Sequence, residues 1–303
     1  MRATGLDLNP LSLLRKAVAQ PQKVPRFLAN LLSGQKYRDY QQWQAFLQSD
    51  IYLVTFPKCG RTWLRNMLGQ LIHEHYGLPP SIKPYLDDEL LAATPQVKLA
   101  VTHDTPTYWL DYQQALSTKK YYQGKKVIFL KRDMRDTLVS WYHHLNKRKG
   151  SYPGTLSEFL HTERDGIGAK CALVFQQAWY DSQKLPAQFL VLNYEDLHLQ
   201  PLPSLRAAAQ LIGLEGLPES SLEQAIRASS FDNMRQQETQ GQLRVGTVTS
   251  LEAAQRDPNT FFVRKGKMGG WRDELSAGDV AYLEGLIQNL PAPREWFLHP
   301  AAE

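Results

Sequence analysis

The chain has 303 residues, enough for one large domain or two small ones with a buried core. Its 43% hydrophobic and 11% aromatic residues suit a soluble globular protein, and two cysteines, Cys59 and Cys171, exclude a disulfide framework and point to a reducing compartment. A formal net charge of +5 suits an anionic ligand, a nucleic acid or a membrane surface, while no apolar run approaches the ~20 residues of a membrane span.

Residues 1–50 are basic and mixed, with Leu11, Leu13, Leu14 and Val18 followed by Phe27, Leu28, Leu31 and Leu32. They read as an N-terminal helical extension packed on a main domain over 51–303. A peripheral membrane contact through the same segment is the alternative, opposed by the interruptions at Pro21 and Pro25. The run Leu11 to Leu14 is too short for a signal peptide and is followed by Arg15-Lys16, so the expected location is cytoplasmic.

Ile51 to Phe56 reads as a buried strand, broken by Pro57-Lys58-Cys59-Gly60. From Arg61 the pattern turns helical, with Leu64, Met67, Leu68, Leu71 and Ile72 on one face. Strand, tight loop and helix form an anion cradle beside a lysine. The Walker order is absent, because the lysine enters the loop first. His73 and His75 stand two apart and face different ways, which opposes a shared metal. Gln96 to Thr102 reads as a second strand, ending at His103 before an aromatic patch of Tyr108, Trp109 and Tyr112.

Lys126 to Lys131 reads as a third strand; Arg132 to Asp136 then turn into a helix carrying Leu138, Trp141, Tyr142 and Leu145. Lys147-Arg148-Lys149 reads as its solvated end. Phe159 to Tyr180 reads as one helix, and Phe189 to Leu192 as a fourth strand ending at Asn193-Tyr194. A helix covers Pro201 to Ile212, and Ser220 with Glu223 predicts a capping box before the next. Gln236 to Thr260 is poor in large apolar residues and reads as a mobile loop, a candidate lid. A last helix covers about Ser276 to Leu290. Four apolar runs alternating with helices predict a single α/β domain with a central, mostly parallel sheet flanked by helices. Ligands of such sheets sit at the carboxyl ends of the strands, so Lys58, His103, Arg132 and Tyr194 are expected in one crevice.

At these positions the chain resembles the cytosolic-type sulfotransferases that use 3′-phosphoadenosine 5′-phosphosulfate. Phe56-Pro57-Lys58-Cys59-Gly60-Arg61-Thr62-Trp63 looks like their 5′-phosphosulfate loop. Arg132 with Ser140 matches their 3′-phosphate pair, and Phe262 to Arg272 is similar to their C-terminal Arg-Lys-Gly-x-x-Gly-x-Trp-Lys signature. The resemblance implies that the sulfonated nucleotide is the donor co-substrate, that no metal is used, and that the acceptor is a small-molecule or lipid-like hydroxyl. Lys58 would stabilise the leaving group and His103 would be the general base. Gly60, Arg61 and Thr62 would hold the 5′-phosphate; Trp63 and Phe231 would flank adenine, with Ser230 matching a family Ser-Phe pair. Arg132, Ser140, Arg264, Lys265 and Gly266 would bind the 3′-phosphate, and Tyr194 matches a tyrosine near the base.

The chain also departs from the family pattern. Cys59 stands for serine and Arg61 for threonine. Val101 stands where many members carry a lysine, so the sulfonate contact of that lysine is either missing or supplied by Arg61. The segment after Trp271 lacks the family's short dimerisation motif. Two other readings compete. Cys59 to Arg65 fits C-x5-R, the loop of a cysteine-dependent phosphatase. The basic balance with aromatics fits a non-catalytic nucleotide or nucleic-acid binding protein, although cations at separate strand ends suit one pocket better than a nucleic-acid face. Tyr85, Tyr108, Trp109, Tyr112, Trp141 and Tyr142 are candidates for the acceptor pocket, while His143, His144, His161, His198 and His299 read as structural and Cys171 as core.

Overall fold

The structure, a computed structural model, describes residues 46–104, 119–163, 167–240, 261, 263 and 266–302. The N-terminal extension up to residue 45, the aromatic patch at Tyr108, Trp109 and Tyr112, and residues 241–260 of the expected lid lie outside the described residues. The chain divides into two compact units, 1–49 and 50–303, and the second carries all elements named below.

In chain order these are β1 (Ile51–Thr55), α1 (Arg61–His75), α2 (Asp88–Ala93), β2 (Leu99–Thr102), β3 (Lys126–Lys131), α3 (Met134–His143), α4 (Leu156–His161) and α5 (Ala169–Ser182). There follow β4 (Gln188–Asn193), α6 (Tyr194–Leu199), α7 (Pro201–Leu211), α8 (Glu219–Ala228), α9 (Phe231–Thr239), α10 (Ala277–Gln288) and α11 (Arg294–Phe297). The strands form one sheet in the order β2-β1-β3-β4, and every pairing is parallel.

Strand alternation divides the core between the two faces. Leu53, Ile128 and Leu130 pack with Leu64 and Leu68 of α1 and Leu205 of α7. Phe129 points the other way into an aromatic stack, 5.4 Å from the Trp179 ring on α5 and 5.7 Å from Trp296 on α11. Both faces are covered by helices, and each fully buried Leu or Ile contributes about 1.5–3 kcal/mol. Among the described residues no helix is long and apolar enough to cross a membrane.

Three local expectations need correction. The stretch from Phe159 to Tyr180 is two helices, because α4 stops at His161 and α5 starts only after Gly168. Gly168 has φ +88, and a Cβ there would lie 2.5 Å from the Thr162 carbonyl oxygen. Ser220 caps nothing: Pro218, with φ −63, precedes α8, which starts at Glu219 with no side-chain cap. The capping boxes lie instead at Thr155/Glu158 and Ser276/Asp279. Gln236 to Thr239 belong to α9 rather than to a loop.

Candidate functional site

The cradle after β1 is built by two left-handed residues. Lys58 has φ +73 and Gly60 φ +91, which turns the chain from strand into α1 within a few residues. A lysine in this region is strained by about 1–3 kcal/mol, a cost usually tolerated at functional loops. The first backbone bonds of α1 run from Trp63 and Leu64 to the Gly60 carbonyl, at 3.0 and 3.2 Å. The amides of Gly60, Arg61 and Thr62 therefore precede the hydrogen-bond ladder, at the positive end of the helix dipole. No acidic residue occupies that first turn.

Cys59 points away from the cradle. It is 0% exposed, its Sγ lies 3.7 Å from the Thr137 hydroxyl, and burial pushes its thiol up to about 11. A phosphatase nucleophile has to be an accessible thiolate. The cysteine-phosphatase reading with Cys59 and Arg65 fails on both counts.

A cavity of about 460 Å³ opens at the carboxyl ends of the strands, and Lys58, His103, Arg132 and Tyr194 all line it. The chain steps from β1 to β2 on one side and returns to β3 on the other, so this is the point where strand order reverses. Gly60, Arg61, Thr62 and Trp63 line the same cavity, as do Ser140, Phe231 and Gly266. Ser230 does not line it; its Oγ instead accepts the Asn233 amide at 3.3 Å and caps α9. Arg264 and Lys265 lie outside the described residues.

Arg132 ties the parts of the site together. Its guanidinium donates to the carbonyls of Lys58 (3.4 Å) and Lys267 (3.0 Å), pairs with Asp136 at 3.4 Å, and lies 4.3 Å over the Tyr194 ring. Its Nε is buried and has no hydrogen-bond partner among the described residues. Asp136 in turn accepts the amides of Gly269 (2.8 Å) and Trp271 (3.0 Å), which anchors the C-terminal signature to α3. Phe231 keeps 37% of its surface exposed although it lines the cavity. Gly266 makes room for that ring, since a Cβ there would meet Phe231 at 2.3 Å. Trp63 packs on Tyr194 and on His198, at 5.7 and 4.7 Å between ring centres.

His103 follows β2 and reaches across to the end of β1, where its Nδ1 lies 2.9 Å from the Thr55 carbonyl oxygen. Because a carbonyl only accepts, Nδ1 carries the proton and Nε2 keeps its lone pair. Burial, then the charges of Arg61 and Lys58, push the imidazolium down to about 3, so the ring is neutral near pH 7. The next residue holds this geometry. Asp104, at φ +48, accepts Tyr122 Oη at 2.8 Å and Trp179 Nε1 at 3.0 Å, and it pairs with the buried Lys119.

Several lining residues are absent from the sequence-based set. By sequence His144 reads as structural and Lys147-Arg148-Lys149 as a solvated helix end, yet His144, Arg148 and Lys149 line the cavity. The reason is a π turn over His144–Arg148, which continues α3 and turns these side chains back. His198 and Arg65 also line the cavity, brought there by the tertiary fold, and so does Tyr85, one of the aromatic candidates for the acceptor pocket. Among the described residues no group of three or more His, Cys, Asp or Glu is placed to hold a metal ion.

Comparison with known proteins gives a consistent set. A family model described as "Sulfotransferase domain" matches residues 48–292. A flavonol 3-sulfotransferase of Flaveria bidentis is 24% identical, over 88% of this chain and 94% of that protein. Among solved structures, a mouse sulfotransferase complexed with PAP aligns with a TM-score of 0.52 at 19% identity, covering 79% of this chain and 82% of that one. A retinol dehydratase complexed with retinol and PAP aligns with a TM-score of 0.50 at 18% identity, covering 80% and 83%.

Proposed function

The chain belongs to the sulfotransferase domain family, and on that premise we propose that it moves a sulfuryl group from 3′-phosphoadenosine 5′-phosphosulfate to an acceptor hydroxyl by in-line displacement. The observation that carries this reading is one cavity shared by a neutral histidine, a lysine and the free amide end of a helix. The donor supplies the sulfuryl group and a stable bisphosphate leaving group. Sulfuryl transfer, like phosphoryl transfer, needs chiefly positioning and charge stabilisation.

The residues divide that work. His103 takes the acceptor proton at Nε2, because Thr55 holds the Nδ1 proton. Lys58 neutralises charge on the bridging oxygen, held there by its left-handed backbone. The amides of Gly60, Arg61 and Thr62, with the Thr62 hydroxyl, receive the 5′-phosphate. Arg132, Ser140 and the Gly266 amide receive the 3′-phosphate; Arg264 and Lys265 join them by resemblance. Trp63 and the exposed Phe231 ring flank adenine. The Arg132 Nε, without a partner among the described residues, and the amides that precede the α1 ladder fit an anionic nucleotide. A flavonol and retinol appear in the names of similar proteins, so phenols and polyene alcohols are the first acceptors to test.

The direct test is thermal unfolding with adenosine 3′,5′-bisphosphate, set against 5′-AMP and ATP. At 100 times its dissociation constant a ligand stabilises by about 2.7 kcal/mol. Stabilisation specific to the 3′,5′-bisphosphate is expected; equal stabilisation by ATP, or none by any of the three, refutes the donor assignment.

A further inference from the structure

The donor side of the cavity does not use all the positive charge at its mouth. Arg132 is paired with Asp136, Arg148 with Glu238 at 3.1 Å and Lys267 with Asp273 at 3.5 Å. Arg61 and Arg65 line the same cavity, and neither has a carboxylate partner among the described residues. They stand one turn apart at the N-terminus of α1, where like charges at i,i+4 repel and the helix dipole adds to the repulsion. Burial, then the charge of Arg65, lowers Arg61 to about 10. The arrangement is unfavourable until an anion enters.

Arg65 is held in place by its neighbours. Its Nε donates to the Leu86 carbonyl at 2.6 Å, the Leu86 amide returns a bond to the Arg65 carbonyl at 3.2 Å, and its guanidinium sits 4.7 Å over the Tyr85 ring. This crossing depends on Gly69: a Cβ there would lie 2.5 Å from the Leu86 nitrogen and 2.6 Å from Tyr85 Cα. Tyr85 lines the cavity at 7% exposure, and among the described residues its buried hydroxyl has only the Thr62 side chain as a polar neighbour, in a contact short of full hydrogen-bond geometry. A tyrosine hydroxyl can accept from Thr62 and still donate its own proton to an incoming oxyanion. Arg61, Arg65, Tyr85 and His103 line one cavity, and the charges of both arginines bear on His103 as well as on Tyr85.

The geometry points to an oxyanion subsite formed by Arg61, Arg65 and the Tyr85 hydroxyl beside His103, and so to an acceptor that carries a carboxylate, phosphate or sulfate near its reacting hydroxyl. This inference rests on the sulfotransferase reading. Acceptor and anion are parts of one molecule: the subsite holds the anion while the neighbouring hydroxyl faces Nε2 of His103. Charge-assisted hydrogen bonds to two arginines predict a preference of about tenfold to hundredfold for the acid over its neutral analogue.

The test uses matched acceptors that differ only in the anion: 4-hydroxyphenylacetate and its amide, a hydroxylated bile acid and its amide, glucuronate and glucuronamide, and glucose 6-phosphate and glucose. Labelled sulfuryl transfer gives kcat/KM for each, and thermal shift with adenosine 3′,5′-bisphosphate reports donor-site integrity. Wild-type protein is expected to favour at least one acid tenfold or more, and the pair showing the advantage identifies the oxyanion. Arg65→Gln and Tyr85→Phe are expected to pull that ratio toward one while the bisphosphate still stabilises the protein. Ratios near one for every pair in a wild-type protein that binds the bisphosphate overturn the subsite. So does an Arg65→Gln variant that slows both members of a pair equally, because the arginines would then serve the donor. No bisphosphate binding and no transfer to any acceptor overturn the sulfotransferase reading itself.

Discussion

Gly60 and Tyr194 occupy each other's space: a Cβ on residue 60 would lie 2.4 Å from Tyr194 Cδ2. The glycine also sits at φ +91, where L side chains are rare. Gly60→Ala is therefore expected to destabilise by about 1–3 kcal/mol and to weaken bisphosphate binding. Adding Tyr194→Ala removes the clash but not the backbone strain, so part of the stability returns. Thermal unfolding of both variants, with and without ligand, measures the two contributions; an undisturbed Gly60→Ala protein refutes the packing argument.

Lys58→Ala removes the cation held by a strained backbone beside the cradle. Loss of one stabiliser of transition-state charge costs about 10²–10³ in kcat, whereas bisphosphate affinity should change far less. Steady-state kinetics beside calorimetric titration separate the two, and unchanged turnover refutes the role.

Arg132→Ala is expected to erase the preference for a 3′-phosphate, because its guanidinium is the cation that the fold fixes between the Lys58 and Lys267 carbonyls. The readout is the affinity ratio of the 3′,5′-bisphosphate to 5′-AMP, which should fall at least tenfold for a lost charge-assisted bond. A ratio unchanged in a folded variant refutes the contact.

Much of this site was legible because strand ends are easy to read. The runs IYLVT and KVIFLK are buried almost throughout, and the polar residue that follows each strand falls into the crevice by topology alone. What sequence could not show depends on contacts between distant segments. Tyr85 stands out in the sequence as an aromatic candidate, but its place beside Arg65 depends on Gly69, which lets its backbone cross α1. His198 gets there by packing on Trp63 and Tyr194, and Arg148 through a π turn that no local pattern announces. Ser230 matched a family pair, yet the start of α9 uses its hydroxyl as a cap.

Acid should weaken the fold. His103 and His144 are pushed down to about 3 and His198 to about 4, in each case first by burial and then by nearby cations. In the unfolded chain they take protons near 6.5, so between about pH 6.5 and 4 the unfolded state binds more protons and stability falls as pH falls. Urea unfolding at pH 7 and pH 5 should show this loss, and His144→Gln should reduce it. A bound bisphosphate, by adding negative charge, should reduce it too. Equal stability at both pH values refutes the assignment of buried neutral histidines.

Cys59→Ser should keep sulfuryl transfer, since the thiol faces Thr137 rather than the cavity. Native protein should resist iodoacetamide at Cys59, because the group is buried and its thiol is raised to about 11. Rapid alkylation with loss of activity contradicts this placement.

The sheet also governs when the protein becomes able to bind. Thr55 pairs with Leu130, and Lys131 with Asn193, so the strand ends that frame the cavity are joined by parallel pairings between remote parts of the chain. The clamp from Asp136 to Gly269 and Trp271 comes later still in sequence. Such long loop closures fold slowly, and no early segment holds more than a fraction of the site. During synthesis, nucleotide affinity should therefore arise in a single late step, once residue 271 has emerged and the clamp can close.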